Sequence, residues 1–246
     1  MTDSTETETK MVMAENPEHL KMVIEDTIKK NGNNCDLNFI DVSCITDFSN
    51  LFCGSEFNGD ISTWNVTNVR NMSYMFAVSR FNGDIGNWNT ENVTNMTSMF
   101  EESQFNGDIS RWNVSHVNDM GSMFYESQFN GDISTWNVTN VRNMSYMFAV
   151  SRFNGDIGNW NTENVTNMHS MFEESQFNGD ISRWDVSNVT DMSYMFAKSQ
   201  FNGNISNWNT GNVTNMSNMF IDSQFSGNIS SKKISDITDS QSQIGT

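Results

Sequence analysis

The chain is poor in the residue types on which most functional classes depend. Among its 246 residues only 13 are Lys or Arg, against 30 Asp and Glu, a formal charge of -17. That balance repels phosphate backbones and anionic lipid surfaces, and no basic patch rises above it, so no nucleic-acid partner is expected. A cationic partner or a metal ion meets no such barrier. There are three histidines, His19, His116 and His169, at unrelated sequence positions. Catalysis calls for an acid, a base and a nucleophile gathered once in a pocket, so neither an enzyme nor a cofactor is expected. The three cysteines, Cys35, Cys44 and Cys53, stand nine residues apart with none after them. An odd number cannot pair completely and the step does not match zinc-site spacings, so they read as buried free thiols. No apolar run reaches the 18 residues of a membrane-spanning helix, and residues 1–10 are rich in Thr and Glu. The expectation is a soluble chain with no membrane insertion and no export address.

What the chain has in abundance is repetition. Phe recurs at a constant step, at 57, 81, 105, 129, 153, 177, 201 and 225, each time opening Phe-Asn-Gly or Phe-Ser-Gly. Trp64, Trp88, Trp112, Trp136, Trp160, Trp184 and Trp208 keep the same register, and a Met-x-x-Met-Phe closes each unit. A period of this length denotes stacked supersecondary units sharing one continuous core, so the fold expected is a repeat solenoid of about eight rungs, each of about 24 residues. Its core columns are Phe57, Ile61, Trp64, Val69, Met72, Met75 and Phe76 with their counterparts.

The boundaries follow from that register. Residues 1–15 have the acidic composition of a disordered tail. Residues 16–56 hold an N-terminal capping helix and a degenerate first rung. The helix is signalled by Asn16 as cap, Pro17 in the first turn, Lys29 and Lys30 in the last, and Gly32 beyond. In the worn rung Ile40 replaces Trp, Phe48 and Leu51 replace the two Met, and Phe52 keeps the Phe. Residues 57–224 are seven regular repeats, and residues 225–246 an incomplete C-terminal rung and polar tail, in which Ile234 and Ile237 are expected to fold across the open end. A larger repeat is also present: residues 57–128 and 129–200 differ at only eight positions, none in a core column.

Within a rung, Asn58-Gly59 reads as a turn because both residues tolerate positive φ. Ile61 and Trp64 then flank a short β-strand. From Val69 the spacing Val69, Met72, Met75, Phe76 suits one or two turns of α- or 3-10 helix. The apolar columns alone do not offset the entropy of ordering a whole rung, so polar residues such as Asn58, Asn65, Asn68 and Ser79 are expected to bond the rungs above and below. The Asn-x-Ser/Thr triplets, as at Asn65 and Asn92, follow from that periodicity.

One polar column carries a sharper question. Asp60, Asp84, Asp108, Asp132, Asp156 and Asp180 recur after each Asn-Gly. If they stack, like charges raise one another's pKa unless hydrogen bonds or a cation compensate. Calcium held between rungs is one reading, and a cap on each turn is the other.

The stretch Phe105-Asn-Gly-Asp-Ile-Ser-Arg-Trp112-Asn-Val-Ser, with Asn188-Val-Thr-Asp-Met-Ser-Tyr-Met-Phe196 and the lead-in Asp36-Leu-Asn-Phe-Ile-Asp-Val-Ser43, resembles the BspA-like leucine-rich-repeat surface proteins, in the branch of mycoplasma-type lipoprotein repeats. The resemblance covers about residues 17–230. It implies a right-handed, leucine-rich-repeat-like solenoid with a role in adhesion and protein binding. Many such proteins carry a secretion signal or lipobox; here no apolar leader precedes Cys35. The function expected is therefore a binding module that offers one extended side to a protein or glycan partner. Its candidate contacts lie outside the core columns: Arg70, Tyr74, Arg111, Tyr125 and Arg142, then Tyr146, His169, Arg183, Tyr194 and Lys198. A structural spacer, self-assembling end to end or side by side, is the alternative.

Overall fold

The computed structural model describes residues 11–229. The regular elements are strand β1 (Val12–Met13), helix α1 (Pro17–Asn31) and strand β2 (Ile40–Asp41), with β1 parallel to β2. Helix α1 starts and stops where its sequence signals lie. Asn16 accepts the His19 N–H on its side chain at 2.8 Å, Pro17 opens the first turn, and the Gly32 N–H, at φ 85°, donates to the Ile28 carbonyl at 2.8 Å. Leu20 and Ile24 are buried in the same cluster as Ile40, Val42, Ile45 and Phe48 of the worn first repeat. The expected tail does not run to residue 15, however. The Val12 and Ala14 amides each donate to the first repeat at 2.9 Å, to Phe39 and Asp41, and Ala14 is fully buried. Met11 to Ala14 is apolar, unlike the residues before it, and the edge of the first repeat supplies the acceptors that hold it. Residues 1–10, and Ile234 and Ile237 with the rest of the C-terminal tail, lie outside the described residues.

From Asp36 onward the chain is a tandem repeat whose successive units pack against one another in constant register. Isolated parallel bridges join Asp47 to Asn71, Asn71 to Asn95, and so on in equal steps to Asn215. The aromatic columns lie in register, with Phe57 and Phe81 6.1 Å apart, Phe76 and Phe100 5.7 Å, and Trp64 and Trp88 6.4 Å, all nearly parallel. The predicted core residues Phe57, Ile61, Trp64, Val69, Met72, Met75 and Phe76 are all buried. Each Trp indole donates back to a carbonyl of the previous repeat, as Trp88 does to Ile61 at 3.1 Å, so the largest core side chains bury no unpaired N–H.

Inside the repeat the path differs from the expected strand and helix. Among the described residues no strand spans 61–64 and no helix spans 69–76. The backbone instead makes a run of tight turns, Trp64 N–H to Ile61, Val69 to Val66, Met75 to Met72 and Ala77 to Tyr74. Between those turns the alternate amides of Met72, Tyr74, Phe76 and Val78 leave their own repeat. They donate to Asn95, Thr97, Met99 and Glu101 of the next at 2.7–3.0 Å. The cause lies in the backbone: Tyr74 (φ 57°) and Val78 (φ 54°) are left-handed, which ends any right-handed helix and turns every second N–H outward. A run of such turns places apolar residues inward at nearly the same spacing as a helix.

Three readings of small features also change. The Asn-Gly pair does not use positive φ, which among the described glycines is confined to Gly32 and Gly54. Gly is needed there for room, since a Cβ on Gly131 would lie 2.9 Å from the Phe129 ring edge. Of the four polar positions, Asn58 and Asn68 do bond the neighbouring repeat through their side chains, to Asn82 N–H and to the Ser43 carbonyl, each at 2.8 Å. Asn65 accepts from Thr67 N–H and Ser79 donates to Phe76, both within one repeat. The cysteines are free, but only Cys35 is buried; Cys44 and Cys53 stand on outward-facing turn positions.

Candidate functional site

The segment that hands its amides to the next repeat also sets out a line of exposed side chains. In residues 72–78 the Met and Phe side chains are buried, and the side chains left exposed or half-buried come from the positions of 73, 74, 77 and 78, as His169, Tyr74, Tyr125 and Val78 show. Four aromatic residues on this side meet in sequence across consecutive repeats. Tyr125 approaches Tyr146 at 6.2 Å between ring centres, Tyr146 approaches His169 at 4.8 Å, and His169 approaches Tyr194 at 6.0 Å. Every one of these contacts is edge to face, with planes 81–86° apart.

Hydrogen bonds lock the line. His169 pairs one ring nitrogen with the Tyr146 hydroxyl at 2.8 Å and the other with the Ser193 hydroxyl at 2.7 Å, while Ser193 donates to Asp191 at 2.6 Å. The Asn218 amide donates to the Tyr194 hydroxyl at 2.7 Å, which carries the array into the seventh regular repeat. Rings so fixed lose little conformational freedom on meeting a partner. The surroundings are acidic. A hydrogen bond to Glu126, then burial, then the charges of Glu126, Glu102 and Glu101 push the Tyr125 phenol up to about 12. Lys198 is bonded to Glu174 at 2.7 Å, and this contact, followed by the charges of Glu174, Glu173 and Asp222, raises its pKa.

The candidate contacts thus separate into two groups. Tyr125, Tyr146, His169 and Tyr194 are brought together, with Lys198 three repeats beyond Glu126 in the same column. Tyr74 occupies the same position as Tyr146 but has no aromatic neighbour among the described residues. Arg70 and Arg142 lie three repeats apart, as do Arg111 and Arg183 in a second column; all four are exposed, and none forms a salt bridge among the described residues. The other histidines serve elsewhere. His116 takes the Asn68 position and meets the Glu91 carbonyl at 2.7 Å, and His19 accepts the Glu15 N–H.

The aspartate column forms turn caps. Asp60, Asp84, Asp108, Asp132, Asp156 and Asp180 are exposed, and each accepts the N–H two residues on at 2.9–3.0 Å. Those hydrogen bonds hold Asp60, Asp108, Asp132 and Asp180 below the usual carboxylate range, against the rise expected of uncompensated stacked charges. Among the described residues no three His, Cys, Asp or Glu side chains gather as a metal centre would need. No described helix is long and apolar enough to cross a membrane.

Ser193 and Asn218, which hold the aromatic line in place, carry no signal of their own in the sequence. The internal duplication does carry one. Of the eight differences between the two long copies, five fall on this outer segment: Thr97/His169, Gly121/Ser193, Ser122/Tyr194, Tyr125/Ala197 and Glu126/Lys198.

The periodic core and this outer line define a tandem-repeat protein. A family model matches the chain four times in overlapping stretches, at residues 20–128, 78–175, 103–198 and 149–246. The chain belongs to that family, described as Mycoplasma protein of unknown function, DUF285. No curated protein and no solved structure matches it.

Proposed function

We propose that the chain is a non-enzymatic binding module of the BspA-like type, a right-handed, leucine-rich-repeat-like solenoid that takes a protein or glycan partner along one extended side. The observation that carries this reading is the unbroken line Tyr125, Tyr146, His169 and Tyr194 on the outside of consecutive repeats. Tyr side chains combine a broad apolar face with few rotatable bonds, which makes them frequent anchors of interfaces. The internal duplication supports it too, because a module serving only as a spacer needs no difference between copies, and five of the eight present fall on the outer segment that carries this line. An adhesin or surface protein is the role that fits such a module. The test is binding of the immobilised chain to peptide and glycan libraries, compared with a Tyr146→Ala/Tyr194→Ala variant. Binding lost in the variant supports the reading; no retained species, or retention indifferent to the substitution, removes it.

A self-assembling spacer is favoured by a different observation. Repeated near-identical units with in-register backbone bonds make each repeat a template for the next. Light scattering separates the two readings, since concentration-dependent polymers belong to the second.

A further inference from the structure

We infer that the line Tyr125, Tyr146, His169 and Tyr194 receives an extended peptide rich in Lys or Arg, laid lengthwise across the repeats so that alternate side chains of the ligand meet successive rings. This deepens the binding reading above and rests on it.

Spacing is the first argument. The ring centres step by 6.2, 4.8 and 6.0 Å. Side chains on one face of an extended chain recur every two residues, at about 6.6 Å. A ligand in that conformation outruns the rings by about 0.4–1.8 Å per step, and over a line of four rings it still offers about one side chain per ring.

The groups left available on the rings point the same way. The Tyr146 hydroxyl and both His169 nitrogens are engaged with one another and with Ser193, and the Tyr194 hydroxyl is engaged with Asn218. Polar tips committed to internal hydrogen bonds do not read out the hydroxyl pattern of a sugar. The tyrosines themselves stay accessible, Tyr146 36% and Tyr194 37% exposed. An aromatic face attracts an ammonium or guanidinium group placed over it.

Charge is the third. Glu101, Glu102 and Glu126 surround Tyr125, and Asp191 lies 4.0 Å from His169. The cation at the far end, Lys198, is already bonded to Glu174. With 30 acidic residues against 13 basic ones overall, a cationic ligand is drawn to this side and an acidic one is repelled.

The experiment uses the full chain, immobilised, and three probes: an eight-residue peptide alternating Lys with Ser, the same peptide with Glu for Lys, and a set of neutral oligosaccharides. The Lys peptide is expected to bind. Its affinity should fall about tenfold in Tyr146→Ala/Tyr194→Ala, and by a similar factor in Glu101→Gln/Glu102→Gln/Glu126→Gln. Melting curves establish that both variants are folded, and the glutamine variant tests the proposal without removing a ring. Lys-peptide binding unchanged in the double Tyr variant reduces the attraction to bulk charge and overturns the proposal. So does the absence of Lys-peptide binding. If the neutral sugars or the Glu peptide bind instead and depend on the two tyrosines, the cationic-peptide inference falls while the binding reading stands. Silence of all three probes and of the wider libraries removes both.

Discussion

Val78 and Val150 are exposed, β-branched and left-handed, each with φ 54°, and replacing both by Gly should stabilise the protein. A left-handed conformation costs a non-glycine residue about 1–2 kcal/mol, and branching at Cβ makes it less favourable still. Glycine removes that cost but raises the entropy of the unfolded chain, a loss of about 0.5–1 kcal/mol. Little burial is forfeited, since the side chains are 54% and 41% exposed. The inter-repeat bonds are retained, because the Val78 and Val150 amides donate to Glu101 and Glu173, each at 2.7 Å, whatever the side chain. The net gain is about 0.5–1 kcal/mol per site. The sites lie three repeats apart, so the gains should add, and a chain of this length should melt about 2–8 °C higher. Thermal unfolding followed by Trp fluorescence measures it. The sign is decisive: in a helical turn the same replacement destabilises by about 0.5–1 kcal/mol per site. A lower melting temperature for Val78→Gly/Val150→Gly would refute the left-handed turn as the reason the amides face outward.

Three further outcomes are expected. Gly131→Ala should lose about 1–3 kcal/mol in a urea titration, because its Cβ meets a Phe129 ring held between Phe105 and Phe153; an unchanged midpoint would mean that the ring has room to move. Asp60, Asp108, Asp132 and Asp180 have pKa values lowered by folding, so their contribution is complete above the unfolded value near pH 4 and is lost as pH falls through the folded values. Urea midpoints should accordingly decline below about pH 4, and a rise there would contradict the turn-cap assignment. EGTA and millimolar calcium should both leave the melting temperature where it was; a calcium-dependent increase would reopen a metal site on the aspartate column.

The columns of Phe57, Trp64, Met72 and Phe76 were legible in the sequence because a fixed period forces each into an equivalent environment, and helix α1 was legible because Asn16, Pro17 and Gly32 act locally. The route of the backbone between them was not. A succession of tight turns and a short helix bring Met72, Met75 and Phe76 inward at the same spacing, so the apolar pattern does not tell them apart. The residues that decide the matter, Tyr74 and Val78, have side chains that ordinarily disfavour the left-handed region, so their chemistry gives no sign of the turn they make. The aromatic line was hidden for a related reason. Tyr125, His169 and the pair Tyr146 and Tyr194 occupy three different positions of the repeat, and only the path of the chain between repeats draws them together. Asn65 and Asn58 looked alike as polar columns, yet one caps its own turn and the other bonds across, a distinction set by side-chain direction.

The claim on which the rest depends is that the outer amides of each repeat are bound by the repeat that follows. Scalar couplings across hydrogen bonds, measured by NMR on isotopically labelled protein, test it directly at Tyr146 and Phe148. The account predicts couplings to the carbonyl carbons of His169 and Met171, in the repeat ahead. Couplings to Arg142 and Met144, four residues behind as in an α-helix, would contradict it.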